Sequence, residues 1–208
     1  MPKTFAPEAI PPDVALERLR EGNRRFVAGT ANAVGNWRPG LADGQSPFAV
    51  VLGCSDSRAP AEYVFDQGLG DLFVIRVAGN IVAPSLIGSI EFAASQFGTR
   101  LVVVMGHTHC GAVETTLRSL GREDNPESRH VRSIVDRIAP HVTDLGQIPM
   151  DDAARLEVAV RTNAVASARE LAISSDLLRE LVGVGRVKIA AAVLDLETGV
   201  VNFCDESS

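Results

Sequence analysis

Three short apolar runs, each stopped by glycine or by a switch to polar residues, punctuate the first half of the chain. Phe48 to Leu52 is wholly apolar and ends at Gly53, Leu72 to Ala78 is interrupted only by Arg76, and Leu101 to Met105 ends at Gly106. Runs of this length without polar alternation predict strands buried on both faces, as in a parallel sheet. Between the second and third, Ser85 to Phe97 carries apolar residues at helical spacing, which predicts a βαβ unit. Residues 13–28 place Leu16, Leu19 and Phe26 on one helical face, with Pro12 and Asp13 as start signals. Residues 29–44, rich in Gly, Asn and Ala, predict a surface loop or arm. Further helices are predicted over Cys110 to Leu120, about 129–140, and 151–182, the last broken near Ser174 and Ser175. The polar stretch 121–128, with Pro126, is read as a loop. Val187 to Leu196, a turn at Glu197-Thr198-Gly199, and Val200 to Phe203 predict a closing hairpin. The pattern as a whole predicts an α/β fold with a mostly parallel sheet flanked by helices.

Composition narrows the function classes. The 208 residues are 46% hydrophobic and 22% charged, which suits one packed domain and argues against disorder. The net charge of −6 provides no surplus of Lys and Arg to displace counterions from a nucleic acid, so none is expected as partner. Arg122, Arg129 and Arg132 are interleaved with acids and read as a solvated face. The apolar runs are far shorter than the roughly 20 residues of a bilayer-spanning helix, so no membrane is expected. The first thirty residues carry no apolar signal segment, and a cytoplasmic location is expected. Three widely spaced cysteines do not make a disulfide framework. Those lying near histidine call for a metal or redox role.

Two of the predicted strands end in Gly53-Cys54-Ser55-Asp56-Ser57-Arg58 and Gly106-His107-Thr108-His109-Cys110-Gly111. Ligands of open parallel sheets bind beyond the carboxyl ends of strands, where strand order reverses. If these strands are neighbours, Cys54, His107 and Cys110 converge there. Thiolate and imidazole are favoured zinc ligands, and three protein ligands leave a fourth position open, the mark of a catalytic site. Two thiolates and a neutral imidazole leave such a centre formally neutral, so a bound hydroxide forms less readily than at a three-histidine site. The working pH is therefore expected to shift upward. A single buried cysteine is more often a small core residue than a ligand; the pairing of two motifs at two strand ends is what points to a metal. Cys204, with no histidine nearby, reads as a core thiol. His109 is a competing ligand, a lining residue or a proton carrier, while His130 and His141 read as surface or interface residues. Asp56, two residues past Cys54, can hydrogen-bond a metal-bound water or become the fourth ligand. The Arg58 guanidinium fork can hold its carboxylate through two hydrogen bonds and keep it ionised. The alternative for this pair is a surface salt bridge of little consequence.

C-S-D-S-R at 54–58, followed by H-x-x-C-G at 107–111 after an apolar strand, resembles the signature of the β-carbonic anhydrases. Pro60-Ala61-Glu62, Asp71 to Arg76, Asn80 and Ile90-Glu91-Phe92-Ala93 resemble family segments in the same order. The resemblance implies a single domain over 1–208, with an N-terminal helical arm and loop (1–44) and a zinc-binding core (45–208). It implies four parallel strands plus an edge strand, and an arm that embraces a partner in a homodimer, possibly a tetramer. It further implies one Zn2+ per chain on Cys54, His107 and Cys110. The implied activity is reversible hydration of CO2 to bicarbonate and a proton by zinc-bound hydroxide, with Asp56 and Arg58 orienting the nucleophile. By the same resemblance, Gln45 binds substrate across the dimer interface, the Gly111 N–H reaches a substrate oxygen, and Phe73, Ala78 and Phe92 line an apolar CO2 pocket. Phe92 stands where a tyrosine is common and Ala78 where a valine is common. That pocket is typical of one subclass of the family; a second subclass builds a bicarbonate escape site from Trp, Arg and Tyr. Val51 and Leu194 stand at its Trp and Tyr positions while Arg76 matches, so no such site is expected. CS2 or COS hydrolysis on the same fold, or a non-catalytic sensor using Cys54 and Cys110 as a zinc or thiol pair, are the alternatives.

Overall fold

The computed structural model describes residues 10–33, 39–120 and 128–204; Arg122 and most of the 121–128 loop lie outside them. Five strands form one sheet: β1 (Ala49–Gly53), β2 (Leu72–Arg76), β3 (Leu101–His107), β4 (Lys188–Leu194) and β5 (Val201–Phe203). Their order is β2-β1-β3-β4-β5, with the first four parallel and β5 antiparallel at the edge. Among the described residues, seven helices accompany them: α1 (Pro12–Val27), α2 (Ala61–Val64), α3 (Pro84–Gln96), α4 (Gly111–Ser119), α5 (Arg129–Val142), α6 (Asp152–Ser174) and α7 (Asp176–Gly183). None is long and apolar enough to cross a membrane.

The uninterrupted apolar runs of β1 and β3 feed two cores at once, because successive side chains point to opposite faces of a strand. Ala49, Val51, Leu101 and Val103 pack with Ala15, Leu16 and Leu19 of α1. Val50, Leu52, Val102 and Val104 pack with Ile90, Ala93 and Ala94 of α3, and with Leu171, Leu178 and Leu181 of α6 and α7. Helix α1 thus lies on the sheet of its own chain. Its Asn23 donates to the carbonyls of Val64 and Gly199 and accepts from the Val201 N–H, tying the helix to α2 and to the β4–β5 hairpin. Contact is closest at Gly22, where a Cβ would stand 1.7 Å from the Phe65 carbonyl oxygen.

Two strand ends differ from the pattern-based expectation, and both differences shape the site. β3 runs on to His107 because β4 supplies a partner as far as Leu194. His107 is consequently a strand residue held in register rather than a loop residue. β2 stops at Arg76, since the chain enters a tight 3-10 turn over Ala78–Asn80 in which Gly79 takes a φ of 71°. The break at Ser175 is as expected: its hydroxyl accepts from the Leu178 N–H and starts α7.

Candidate active site

β2 lies on one side of β1 and β3 on the other, so the chain leaves β1 toward one edge of the sheet and returns on the opposite side. The crevice at the carboxyl ends of β1 and β3 is the switch point where ligands bind in such sheets. Cys54 follows β1 directly, His107 ends β3, and Cys110 is the N-cap residue of α4. Their ligand atoms lie within 4.8 Å of one another and all three residues are buried.

Each of these side chains is prepared for a cation. His107 Nδ1 lies 2.9 Å from the Thr108 carbonyl, so it carries the proton and donates, leaving the lone pair on Nε2. That Nε2 is buried and, among the described residues, finds no hydrogen-bond partner. An unpaired buried ring nitrogen is costly, and a metal ion would satisfy it. The Gly79 N–H donates to Cys54 Sγ at 3.3 Å. The Ala112 and Val113 N–H groups, unpaired donors of the first turn of α4, favour the Cys110 thiolate. One hydrogen bond joins the two sulfurs. The hydrogen bond from Cys110 holds the Cys54 thiol far below its ordinary value, and the same bond, with burial, pushes Cys110 far above. Burial opposes protonation of His107, but the neighbouring Cys54 thiolate and the Thr108 carbonyl outweigh that and raise its pKa. The pocket by itself stabilises one negative charge, and a divalent ion would release the second proton. The donor set fits zinc.

Asp56 faces this group, with Oδ2 3.9 Å from His107 Nε2. The Arg58 side chain donates to both carboxylate oxygens, at 2.9 and 2.7 Å, and the Arg58 backbone N–H donates to Oδ1 at 2.9 Å. These bonds hold the Asp56 carboxyl well below the usual carboxylate range. Arg76, which sequence reasoning credited with no part in the loop, clamps it from beneath by donating to the carbonyls of Cys54 at 2.9 Å and Asp56 at 2.5 Å. The signal was present: Arg76 is the one charge in the apolar run of β2.

Among the residues expected to bind substrate, Ala78 adjoins Gly79 in the turn against Cys54, and Gly111 opens α4 directly after Cys110. Phe73 and Phe92 stand elsewhere, forming an aromatic trio with Phe97 whose ring centroids are 5.7 to 6.4 Å apart. Neither packs in the cluster around Cys54 and Cys110. Gln45 is exposed and precedes β1, at the opposite end of the strand from Cys54. His109, with a φ of 56°, is exposed and does not join the cluster of Cys54, His107 and Cys110. It lines an open groove of about 1120 Å³ with Glu114, Arg118, Arg155 and Asp195. Cys204 is buried in the core on the α3 side of the sheet, and His130 is exposed, as expected. His141, read as a surface or interface residue, is half-buried and hydrogen-bonded. Its Nδ1 lies 3.0 Å from Oδ1 of Asn163, a fully buried side chain whose Nδ2 donates to the Gly79 carbonyl. Sequence reasoning missed Asn163 altogether, because its partners lie on a distant turn and another helix.

A family model for carbonic anhydrase matches residues 49–201, from the first residue of β1 to the first of β5. Carbonic anhydrase 2 of Mycobacterium tuberculosis is 38% identical over 191 residues, 90% of either chain. A carbonic anhydrase of Mycolicibacterium smegmatis is 46% identical over 134 residues, 63% of this chain and 65% of its own. Among solved structures, a tetrameric β-carbonic anhydrase of Sordaria macrospora matches with a TM-score of 0.70 at 23% identity, over 92% of this chain and 98% of its own. The Coccomyxa β-carbonic anhydrase in complex with acetazolamide matches with a TM-score of 0.71 at 22% identity, over 90% and 85%. With relatives similar along most of its sequence and a fold shared nearly end to end, the chain belongs to the β-carbonic anhydrase family.

Proposed function

We propose that this protein catalyses the reversible hydration of CO2 to bicarbonate and a proton, with Zn2+ held by Cys54, His107 and Cys110. The observation that carries the reading is the buried, partnerless His107 Nε2 set against two thiols, with the ionised Asp56 carboxylate facing it. Zinc, when bound, supplies a nucleophile near neutral pH by lowering the pKa of water. Asp56, being ionised, can only accept: it takes a hydrogen bond from the O–H of the attacking oxygen and leaves that oxygen's lone pair for the carbon. Arg58 occupies the remaining acceptor positions of the carboxylate and keeps it from closing onto the metal. Gly111, at the open start of α4, has its N–H available to a substrate oxygen.

The pocket calls for a second copy of the chain. The five residues of β1 rise about 3.3 Å each, so roughly 17 Å of strand separates Gln45 from its own Cys54. Gln45, and with it the aromatic surface of Phe73 and Phe92, serves the zinc site of the partner in a homodimer. The tetrameric state of the Sordaria relative supports self-association. Ala78 and Phe92, smaller and less polar than valine and tyrosine, widen the pocket and remove a hydroxyl contact. Val51 and Leu194 are buried aliphatic side chains in the core on the α1 side and offer bicarbonate no hydrogen bond, so the escape site is absent. Three cysteines present as thiols or proposed metal ligands fit the reducing cytoplasm.

Metal analysis and stopped-flow CO2 hydration on a single preparation test this reading, with Cys54→Ser alongside. About one zinc per chain is expected, with zinc and hydration lost together in the variant. Hydration by zinc-free protein would overturn the reading, and bound zinc that turns over only CS2 or COS would replace the substrate.

A further inference from the structure

The Gly79 N–H that donates to Cys54 Sγ belongs to a residue with every reason to move. Gly79 has no Cβ, sits at a φ of 71°, and links a 3-10 turn to the segment leading into α3. Glycine samples this region freely and loses more conformational entropy on ordering than any other residue. Packing narrows its room on one side, since a Cβ there would stand 2.6 Å from Ile138 Cδ1 and 3.1 Å from Ala112 Cβ. The direction of its N–H, however, follows from how the next peptide is held.

That peptide is held by a side chain. Asn163, on α6 and fully buried, donates from Nδ2 to the Gly79 carbonyl at 2.9 Å. A carbonyl only accepts, so the amide orientation of Asn163 is fixed and its Oδ1 must turn the other way. There it meets His141 Nδ1 at 3.0 Å, which must therefore be the protonated ring nitrogen. His141 Nε2 then faces Glu170, 3.6 Å away at the rim of α6. His141, Asn163 and Gly79 form one directional chain of donors ending on the sulfur of Cys54.

We propose that Asn163, oriented by His141, is a positioning residue for the metal-binding thiolate of Cys54. It fixes the carbonyl of Gly79, and with it the backbone angles that aim the Gly79 N–H at the sulfur. The inference rests on reading Cys54 as a zinc ligand. Neither Asn163 nor His141 touches the metal or the substrate; both act through the backbone of one glycine. Outer groups of this kind orient a ligand and tune the charge it gives to the metal.

The test is the rate of zinc release to a chelator, together with the thiolate-to-cobalt charge-transfer band of the cobalt-substituted protein. Asn163→Leu keeps the branched shape but removes both hydrogen bonds. It is expected to release zinc at least about tenfold faster than the parent, within the about 10–100-fold range typical of outer-shell ligand supports, with a shifted cobalt band. His141→Phe is expected to move both readouts the same way by less, and His141→Gln, whose amide still donates, to restore them. Parental zinc release and an unshifted band in Asn163→Leu and His141→Phe would overturn the proposal, even if thermal stability fell. If Asn163→Leu does not fold, His141→Phe decides by the same criteria. A parent that retains no zinc would overturn both this inference and the proposed function. A zinc-retaining parent with unaffected variants would overturn this inference alone.

Discussion

Asp56 receives three hydrogen bonds from a single residue, Arg58, and stands beside His107 without touching it. Its depressed pKa keeps it ionised across the neutral range, so its contribution is constant there and consists of geometry and charge. Asp56→Asn keeps the shape and removes the charge. The variant is expected to hold zinc as the parent does and to lose about 100-fold or more in hydration rate, the usual scale for a positioned proton-handling group. Metal analysis with stopped-flow kinetics on the same sample checks this, and unchanged hydration would take Asp56 out of the reaction. The residues of this centre were legible in the chain because both motifs follow apolar strands ended by glycine, which places them at the same edge of a parallel sheet. His141 and Asn163 were not legible. They are 22 residues apart on different helices, and no local pattern links either of them to Gly79.

The elements that frame the site were legible where burial is two-sided. The runs at Phe48–Leu52 and Leu101–Met105 could only be central strands of a covered sheet, and the break at Ser175 follows from its capping hydroxyl. Strand ends were less legible, since β3 continues to His107 only because β4 runs alongside it. The seating of α1 depends on another feature invisible to periodicity, the buried carboxylate of Asp66. Its oxygens accept from Arg25 Nε at 2.5 Å and from the N–H groups of Asn32 and Ala33 at 2.9 and 2.7 Å. Burial raises the Asp66 pKa, but these bonds outweigh it and the net shift is downward. A carboxyl with a folded pKa below its unfolded one adds stability that is complete above the ordinary value of about 3.9 and is lost as pH falls through the folded one. Asp66→Asn is expected to be less stable than the parent by about 1–3 kcal/mol near neutral pH. That gap should shrink as the pH is lowered toward about 3, because only the parent loses a charge. Urea unfolding at several pH values measures it; a gap independent of pH would remove the carboxylate's charge from the account.

At the scale of the whole molecule, one chain brings together the three proposed zinc ligands but not all the residues proposed to line the pocket. Gln45 precedes β1 at the end away from Cys54, and Phe73 and Phe92 pack with Phe97 away from the ligand cluster. Such residues cannot be assigned from one chain's pattern if, as proposed above, they serve the site of another copy. Complementation tests the shared pocket: mixing Gln45→Ala with Asp56→Asn places an intact Gln45 opposite an intact Asp56 in the heterodimer. The mixture is expected to recover hydration that neither variant has alone, whereas no recovery would mean that Gln45 acts within its own chain or not at all. The central claim is that a neutral centre of two thiolates and one imidazole supplies the nucleophile while Asp56 stays ionised. Its most direct test is the CO2 hydration rate of zinc-loaded protein between about pH 6 and about pH 9, spanning the pKa near 7 that zinc confers on bound water in other enzymes. The account predicts a rate that rises toward alkaline pH with one ionisation and vanishes when zinc is removed. A rate that fell with rising pH, or that survived removal of the metal, would contradict it.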